Sequence, residues 1–179
     1  GAMAAVLGME AKEIQKVLRT IRDVTIANDN CPGQIVITGK TKAVEAAAES
    51  LKEAGAKRTL ILNVSGPFHS PMLKAAGEAL EKEMEGLSFT QLKIPYVTNV
   101  TAEYVREIGE TKSLLAEQVS APVRWRESME RMIENGVTKF VEIGPGKTLN
   151  GFLRKINRDV QVYNVGTWED IEKVIGELC

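Results

Sequence analysis

The residue best equipped for chemistry in this sequence is His69, its one histidine. It lies in Ser65-Gly66-Pro67-Phe68-His69-Ser70-Pro71, a segment crowded with turn residues and fixed by a proline on either side. Ser70 is a good helix N-cap and Pro71 a good first helical residue. The spacing therefore predicts a helix from Ser70 to about Glu85, with Met72, Ala76, Leu80 and Met84 on its inner face. An imidazole held just ahead of a helix start can serve as a general base, which needs the neutral ring near pH 7. The plainer reading is an ordinary loop histidine. A base also needs a nucleophile to serve, and the sequence contains no Gly-x-Ser-x-Gly elbow. Ser65 and Ser70 are close in sequence, but Ser70 is committed to capping.

Other chemistry is thinly represented. Gly144-Pro145-Gly146-Lys147 follows a strand pattern and opens a helix, so it can be read as a phosphate cradle or as a tight strand-to-helix turn. The spacing of a phosphate-binding loop is absent. Cys31 sits in a turn with no cationic neighbour in sequence and reads as an ordinary thiol. Cys179 reads as incidental. Arg124 and Arg126 flank Trp125, an arrangement that can stack on a base. The aromatic fraction is only 5% and there is no basic excess, which argues against that use. The carboxylates are spread along helix faces. With no CxxC pair and no Cys/His cluster, neither a disulfide framework nor a metal site is expected, and a reducing, cytoplasmic setting is the default.

Composition narrows the classes further. Of 179 residues, 44% are hydrophobic and 26% charged, which are globular values. The formal net charge of -1 argues against a nucleic-acid or membrane-surface binder. The apolar runs are too short for a membrane span, and no signal peptide is expected at the start.

The elements that would carry these residues fall into two rhythms. An apolar run at Ala4–Met9 reads as a strand, and Glu10–Arg22 as an amphipathic helix with Ile14, Val17, Leu18 and Ile21 on one face. Val24–Asn28 and Gln34–Gly39 read as a hairpin around the turn Asp29–Gly33. A helix capped by Thr41 runs to about Ala54, and Arg58–Val64 is another strand. The order β-α-β-β-α-β is the ferredoxin-like unit. Beyond it, the spacing predicts a short strand at Ile94–Val100, helices at Thr111–Val119 and Arg126–Asn135, and a strand at Lys139–Ile143. A helix to about Ile156, a strand at Val160–Val165 and a helix at Trp168–Leu178 complete the chain. Strands alternating with helices suggest a parallel α/β sheet, but residues 66–179 supply only about three strands, fewer than such a sheet usually has. The expected fold is thus α/β, with a small subdomain at 1–64 and part of a larger core at 65–179.

Several segments together resemble one family, the malonyl-CoA:acyl carrier protein transacylases of fatty acid synthesis. Gly1-Ala2-Met3-Ala4-Ala5-Val6-Leu7-Gly8 looks like the strand leading into that family's small subdomain. Asn28-Asp29-Asn30-Cys31-Pro32-Gly33-Gln34 resembles its N-x-N-S-P-x-Q loop, with Cys31 in place of Ser. Gly66-Pro67-Phe68-His69-Ser70-Pro71-Met72 looks like its catalytic histidine segment. Gln118, Pro122, Val123 and Trp125 match its Q-x-x-x-P-V-x-W stretch. Glu142-Ile143-Gly144-Pro145-Gly146-Lys147, with Leu149 and Gly151, matches its E-x-G-P-G-x-x-L-x-G turn.

The resemblance implies a ferredoxin-like subdomain inserted in an α/β-hydrolase-like core, and ping-pong acyl transfer. It implies that His69 is the base, oriented by the backbone carbonyl at Gln118. It implies that Phe68 favours malonyl over branched units and that Asn30 and Asn99 line the site. The implied substrates are malonyl-CoA and the phosphopantetheinyl acyl carrier protein, with no cofactor, metal, nucleic acid or membrane. The family's nucleophile elbow, its oxyanion-hole loop and its carboxylate-binding Arg have no counterpart here. The expectation is that this chain begins after all three and is inactive alone, the missing N-terminal part being a possible partner. Two other readings are a ferredoxin-like binding module without chemistry, and a fragment that completes a partner's core.

Overall fold

The structure, a computed structural model, describes residues 1–178, so Cys179 lies outside the described residues. The first elements are β1 (Ala2–Leu7), α1 (Ala11–Leu18), β2 (Val24–Cys31), β3 (Gln34–Gly39), α2 (Thr41–Glu53) and β4 (Arg58–Ile61). They form one four-stranded sheet in the order β2-β3-β1-β4, antiparallel throughout. That is the ferredoxin-like topology. One face of the sheet meets both helices. Ala4, Val6, Ile35 and Ile37 pack there with Ile14, Leu18, Val44, Ala47 and Leu51, all buried. The spacing of the helical members follows the turn of the α-helix, which is why the periodicity was readable.

Boundaries shift where local chemistry is subtle. β1 starts at Ala2 instead of Ala4 and stops before Gly8, whose φ of 77° suits glycine. β2 runs through the segment expected to be a turn and reaches Cys31 by way of two irregularities, at Ile26/Asn28 and Asp29/Cys31. The true turn is Pro32-Gly33, with Gly33 at φ 69°. Cys31 is fully buried as a result. The N-cap of α2 is Lys40, and Thr41 is its first helical residue.

After β4 come a 3-10 turn (Pro71–Leu73) and α3 (Lys74–Met84) in place of one continuous helix. The strand expected at Ile94–Val100 shrinks to β5 (Tyr96–Val97), which pairs antiparallel with β6 (Tyr104–Val105) and does not enter the parallel sheet. Pro95 lacks the donor a ladder needs, and Ala102 at φ 58° turns the chain back. A 3-10 turn (Ile108–Glu110), α4 (Thr111–Glu117) and α5 (Trp125–Glu134) follow. The last elements are β7 (Lys139–Ile143), α6 (Thr148–Ile156), β8 (Gln161–Val165) and α7 (Trp168–Leu178).

The chain divides into two compact units, Gly1–Ser128 and the residues from Met129 onward. In the second unit β7 and β8 pair in parallel, Val141 opposite Tyr163, with Leu153 of α6 and Val174 of α7 buried. Ile143 is 81% exposed, an unusual state for the last residue of a β-branched parallel strand. Among the described residues no helix is long and apolar enough to cross a membrane.

Candidate active site

The segment around His69 is built to hold a strained backbone. His69 has φ 55°, in the left-handed region, which costs a non-glycine residue about 1–3 kcal/mol. Histidine tolerates that region better than bulky branched residues do. Neighbours hold the shape. Ser70 is 2% exposed, and its Oγ accepts the Met72 N–H at 3.2 Å, as expected of an N-cap. The Leu73 N–H donates to the Ser70 carbonyl at 2.9 Å. Pro67 is buried and Phe68, beside it, is exposed.

The imidazole is anchored by one contact. His69 Nδ1 lies 3.0 Å from the backbone carbonyl oxygen of Gln118. Gln118 is the C-cap of α4, where helix geometry leaves carbonyls without an intrahelical partner. The ring therefore satisfies an orphan acceptor, and its Nε2 is left for other work. Helix packing sets the position of that carbonyl. A Cβ on the buried Gly77 of α3 would stand 2.6 Å from the Ala116 carbonyl oxygen of α4, so only glycine allows this approach without a shift. At the other end of the pair, Lys112 Nζ donates to the Leu87 carbonyl at 2.6 Å.

The segment from Gln118 to Arg124 gathers two of the other predicted site residues, Asn30 and Asn99, and not the exposed Phe68. Val123 lies beside β2 in a parallel bridge to Asn28. Its N–H donates to the Ala27 carbonyl at 2.7 Å, and its carbonyl accepts from Asp29 N–H at 3.0 Å. The half-buried Asn30 is the next residue of β2. Arg124 N–H donates to the carbonyl of Asn99, also half-buried, at 3.0 Å. Direct contact thus joins His69 and Gln118, while Asn30 and Asn99 are tied to that pair through one short stretch of chain. The hairpin turn after Asn30 has its own clasp: Glu10 accepts Gly33 N–H at 3.1 Å and pairs with Arg126 Nη1 at 2.9 Å.

Sequence reading missed Arg124, having weighed it only as a flank of Trp125. Its guanidinium forms a forked pair with the Glu127 carboxylate through Nε and Nη2, while Nη1 donates to the Thr101 carbonyl at 2.9 Å. The hydrogen bond to Glu127 holds its pKa above the ordinary arginine value against the opposing effect of burial. An arginine three residues before a glutamate at a helix start was the available signal.

In the second unit, the Gly144-Pro145-Gly146-Lys147 turn is not free to hold an anion at the helix start. The Leu149 and Asn150 N–H groups of α6 donate to the Glu142 carboxylate at 3.1 and 2.8 Å. The chain's own carboxylate takes the place a phosphate would need, which supports the reading of a tight turn. Among the described residues there is no group of three or more His, Cys, Asp or Glu that could hold a metal ion.

The chain is similar to known proteins of one family. Residues 1–170 match the family model described as acyl transferase domain. The malonyl CoA-acyl carrier protein transacylase of Bacillus subtilis is 44% identical over 182 residues, covering 99% of this chain and 57% of that protein. The crystal structure of the Clostridium perfringens malonyl CoA-acyl carrier protein transacylase superposes with a TM-score of 0.94 at 42% identity, covering 99% of this chain and 57% of its own. A type II PKS acyl-carrier protein in complex with its malonyl-transacylase gives a TM-score of 0.95 at 33% identity, covering 98% of this chain and 58% of that one. The chain thus spans a little over half the length of these relatives. On the family match, the chain belongs to the acyl transferase domain family.

Proposed function

We propose that this chain is the histidine-bearing part of a malonyl-CoA:acyl carrier protein transacylase, with His69 as general base. The observation that carries the reading is the 3.0 Å contact between His69 Nδ1 and the Gln118 carbonyl. A carbonyl accepts and never donates, so the contact is a hydrogen bond only when Nδ1 bears the proton. In the neutral ring Nε2 then presents a lone pair. This is the role a triad carboxylate plays elsewhere, fixing the tautomer and orientation of the ring.

In the proposed reaction, Nε2 takes the proton of a serine hydroxyl supplied from outside residues 1–179. The serine oxygen attacks the malonyl thioester carbonyl, and the C–S bond breaks. The departing CoA thiolate takes the proton from Nε2, leaving a malonyl ester on the serine. The phosphopantetheine thiol of an acyl carrier protein then gives its proton to Nε2 and attacks that ester, the ester C–O bond breaks, and the departing serine oxygen takes the proton back from Nε2. Gln118 positions the base. Phe68 bears on the choice of malonyl over branched units, and Asn30 and Asn99 line the site. The steps balance with the two substrates and need no cofactor.

The test is intact-mass spectrometry after incubation with malonyl-CoA. Alone, the chain should gain no mass. Mixed with a segment carrying a Gly-x-Ser-x-Gly elbow, it should produce a malonyl adduct on that segment, lost with His69→Ala. An adduct on the chain itself, at Ser65 or Cys31, would overturn the mechanism.

The second unit favours a compatible structural role. Ile143 and Trp168 are 81% and 71% exposed on and beside its two-stranded sheet. Such strands usually have both faces covered. Completing a core with further strands would bury them.

A further inference from the structure

We propose that Arg124 is a positioning residue that holds the Asn99 turn in register with the Gln118–Arg124 segment. The inference rests on reading Asn99 as a site residue of the proposed transacylase. The turn between β5 and β6 has only short strands to anchor it. Each strand is two residues long, and the loop between them includes Ala102 at φ 58°, a conformation alanine rarely adopts. Its own backbone bonds are Ala102 N–H to the Thr98 carbonyl at 3.0 Å and Thr98 N–H to the Glu103 carbonyl at 3.2 Å, and the Thr98 and Thr101 hydroxyls accept the Val100 and Glu103 N–H groups at 3.3 and 3.2 Å.

Arg124 grips that turn at three carbonyls, the weakest bond being Nη1 to the Val100 carbonyl at 3.5 Å. Its backbone N–H donates to the Asn99 carbonyl at 3.0 Å, and its Nη1 donates to the Thr101 carbonyl at 2.9 Å. The side chain can do so because its plane is fixed by the forked pair with Glu127, which leaves Nη1 aimed at the turn. The ion pair alone is worth little, since both side chains are nearly half exposed. Its use is geometric. Lysine has no planar fork and cannot hold the carboxylate and the turn carbonyl together in this arrangement.

Two measurements separate this inference from the function on which it rests. In the chain alone, Arg124→Met should speed amide exchange at Thr98 and Ala102 at least about tenfold, the expected loss for a charged donor to a carbonyl. Exchange in β1 and β3 should not change. Arg124→Lys should fail to restore the protection, and Glu127→Gln should give an intermediate rate, which keeps the test open if Arg124→Met folds poorly. In malonyl transfer with the elbow-bearing segment, Arg124→Met should raise KM for malonyl-CoA more than it lowers kcat. It should also be non-additive with Asn99→Ala, because both act through one group. Unchanged exchange at Ala102, or additive kinetic effects, would overturn the inference. Absence of transfer by the unaltered pair would instead defeat the proposed function, and exchange would still decide whether Arg124 holds the turn.

Discussion

At the scale of single residues, the site depends on which nitrogen of His69 carries a proton. Gln118 contributes a carbonyl, so its side chain should not matter to the tautomer. The presence of one histidine makes this measurable, because every imidazole nitrogen signal in the spectrum belongs to His69. Nitrogen-15 NMR of the neutral ring should show a protonated Nδ1 and an unprotonated Nε2. Gln118→Ala should leave that pattern in place, since the backbone carbonyl survives. A predominantly Nε2-protonated ring in the unaltered chain would remove the physical basis for His69 as the base. The constrained loop around His69 was legible in the sequence from its prolines and its cap. The left-handed backbone of His69 was not, because the flanking residues suit several turn geometries. Cys31 was misplaced for a related reason: the Asp-Asn-Cys-Pro-Gly run reads as a turn, while the irregularities in β2 let the strand absorb its first half.

At the scale of elements, the His69–Gln118 distance is a property of α3 and α4 as a pair. His69 lies just ahead of the turn that opens into α3, and Gln118 ends α4. The separation of the helix backbones decides whether imidazole and carbonyl meet. Gly77→Val should force the Ala116 carbonyl away, costing about 1–3 kcal/mol as overpacking does. For a chain of this size the melting midpoint should fall by roughly 5 °C. The informative result is local: the His69 Nδ1 proton should lose its protection even well below the new midpoint. A variant that melts early but keeps the Nδ1-protonated ring would show that Gly77 serves packing alone. Long periodic helices were readable from sequence because their burial repeats every three to four residues. The β5–β6 hairpin was not, since two residues per strand carry no period. The close crossing at Gly77 was also invisible, because a glycine inside a helical pattern carries no mark of what approaches it.

At the scale of the whole molecule, the two ends of the chain differ in how well they are closed. The four-stranded sheet buries Ala4, Val6, Ile14, Ile35, Ile37, Val44, Ala47 and Leu51 in one cluster. Its β-α-β-β-α-β order was legible because each segment has a clear period and the topology follows from short connections. The parallel pair β7 and β8 was equally legible as strands, but Val141 is 38% and Ile143 81% exposed there. A sequence pattern says that a strand is of the buried type; it does not say whether this chain supplies the cover. We propose on this ground that residues 1–64 form the stable part and that the β7–β8 sheet is marginal alone. Hydrogen exchange on the isolated chain tests it. Amides of β1 and β3 should open only with global unfolding, whereas those of β7 and β8 should exchange at least about a hundredfold faster through local opening. Adding an elbow-bearing segment should slow β7 and β8 selectively, since the newly covered faces would bind the folded form. Equal protection in both sheets before any addition would mean that the second unit needs no further cover, and the idea that it completes a larger core would fall.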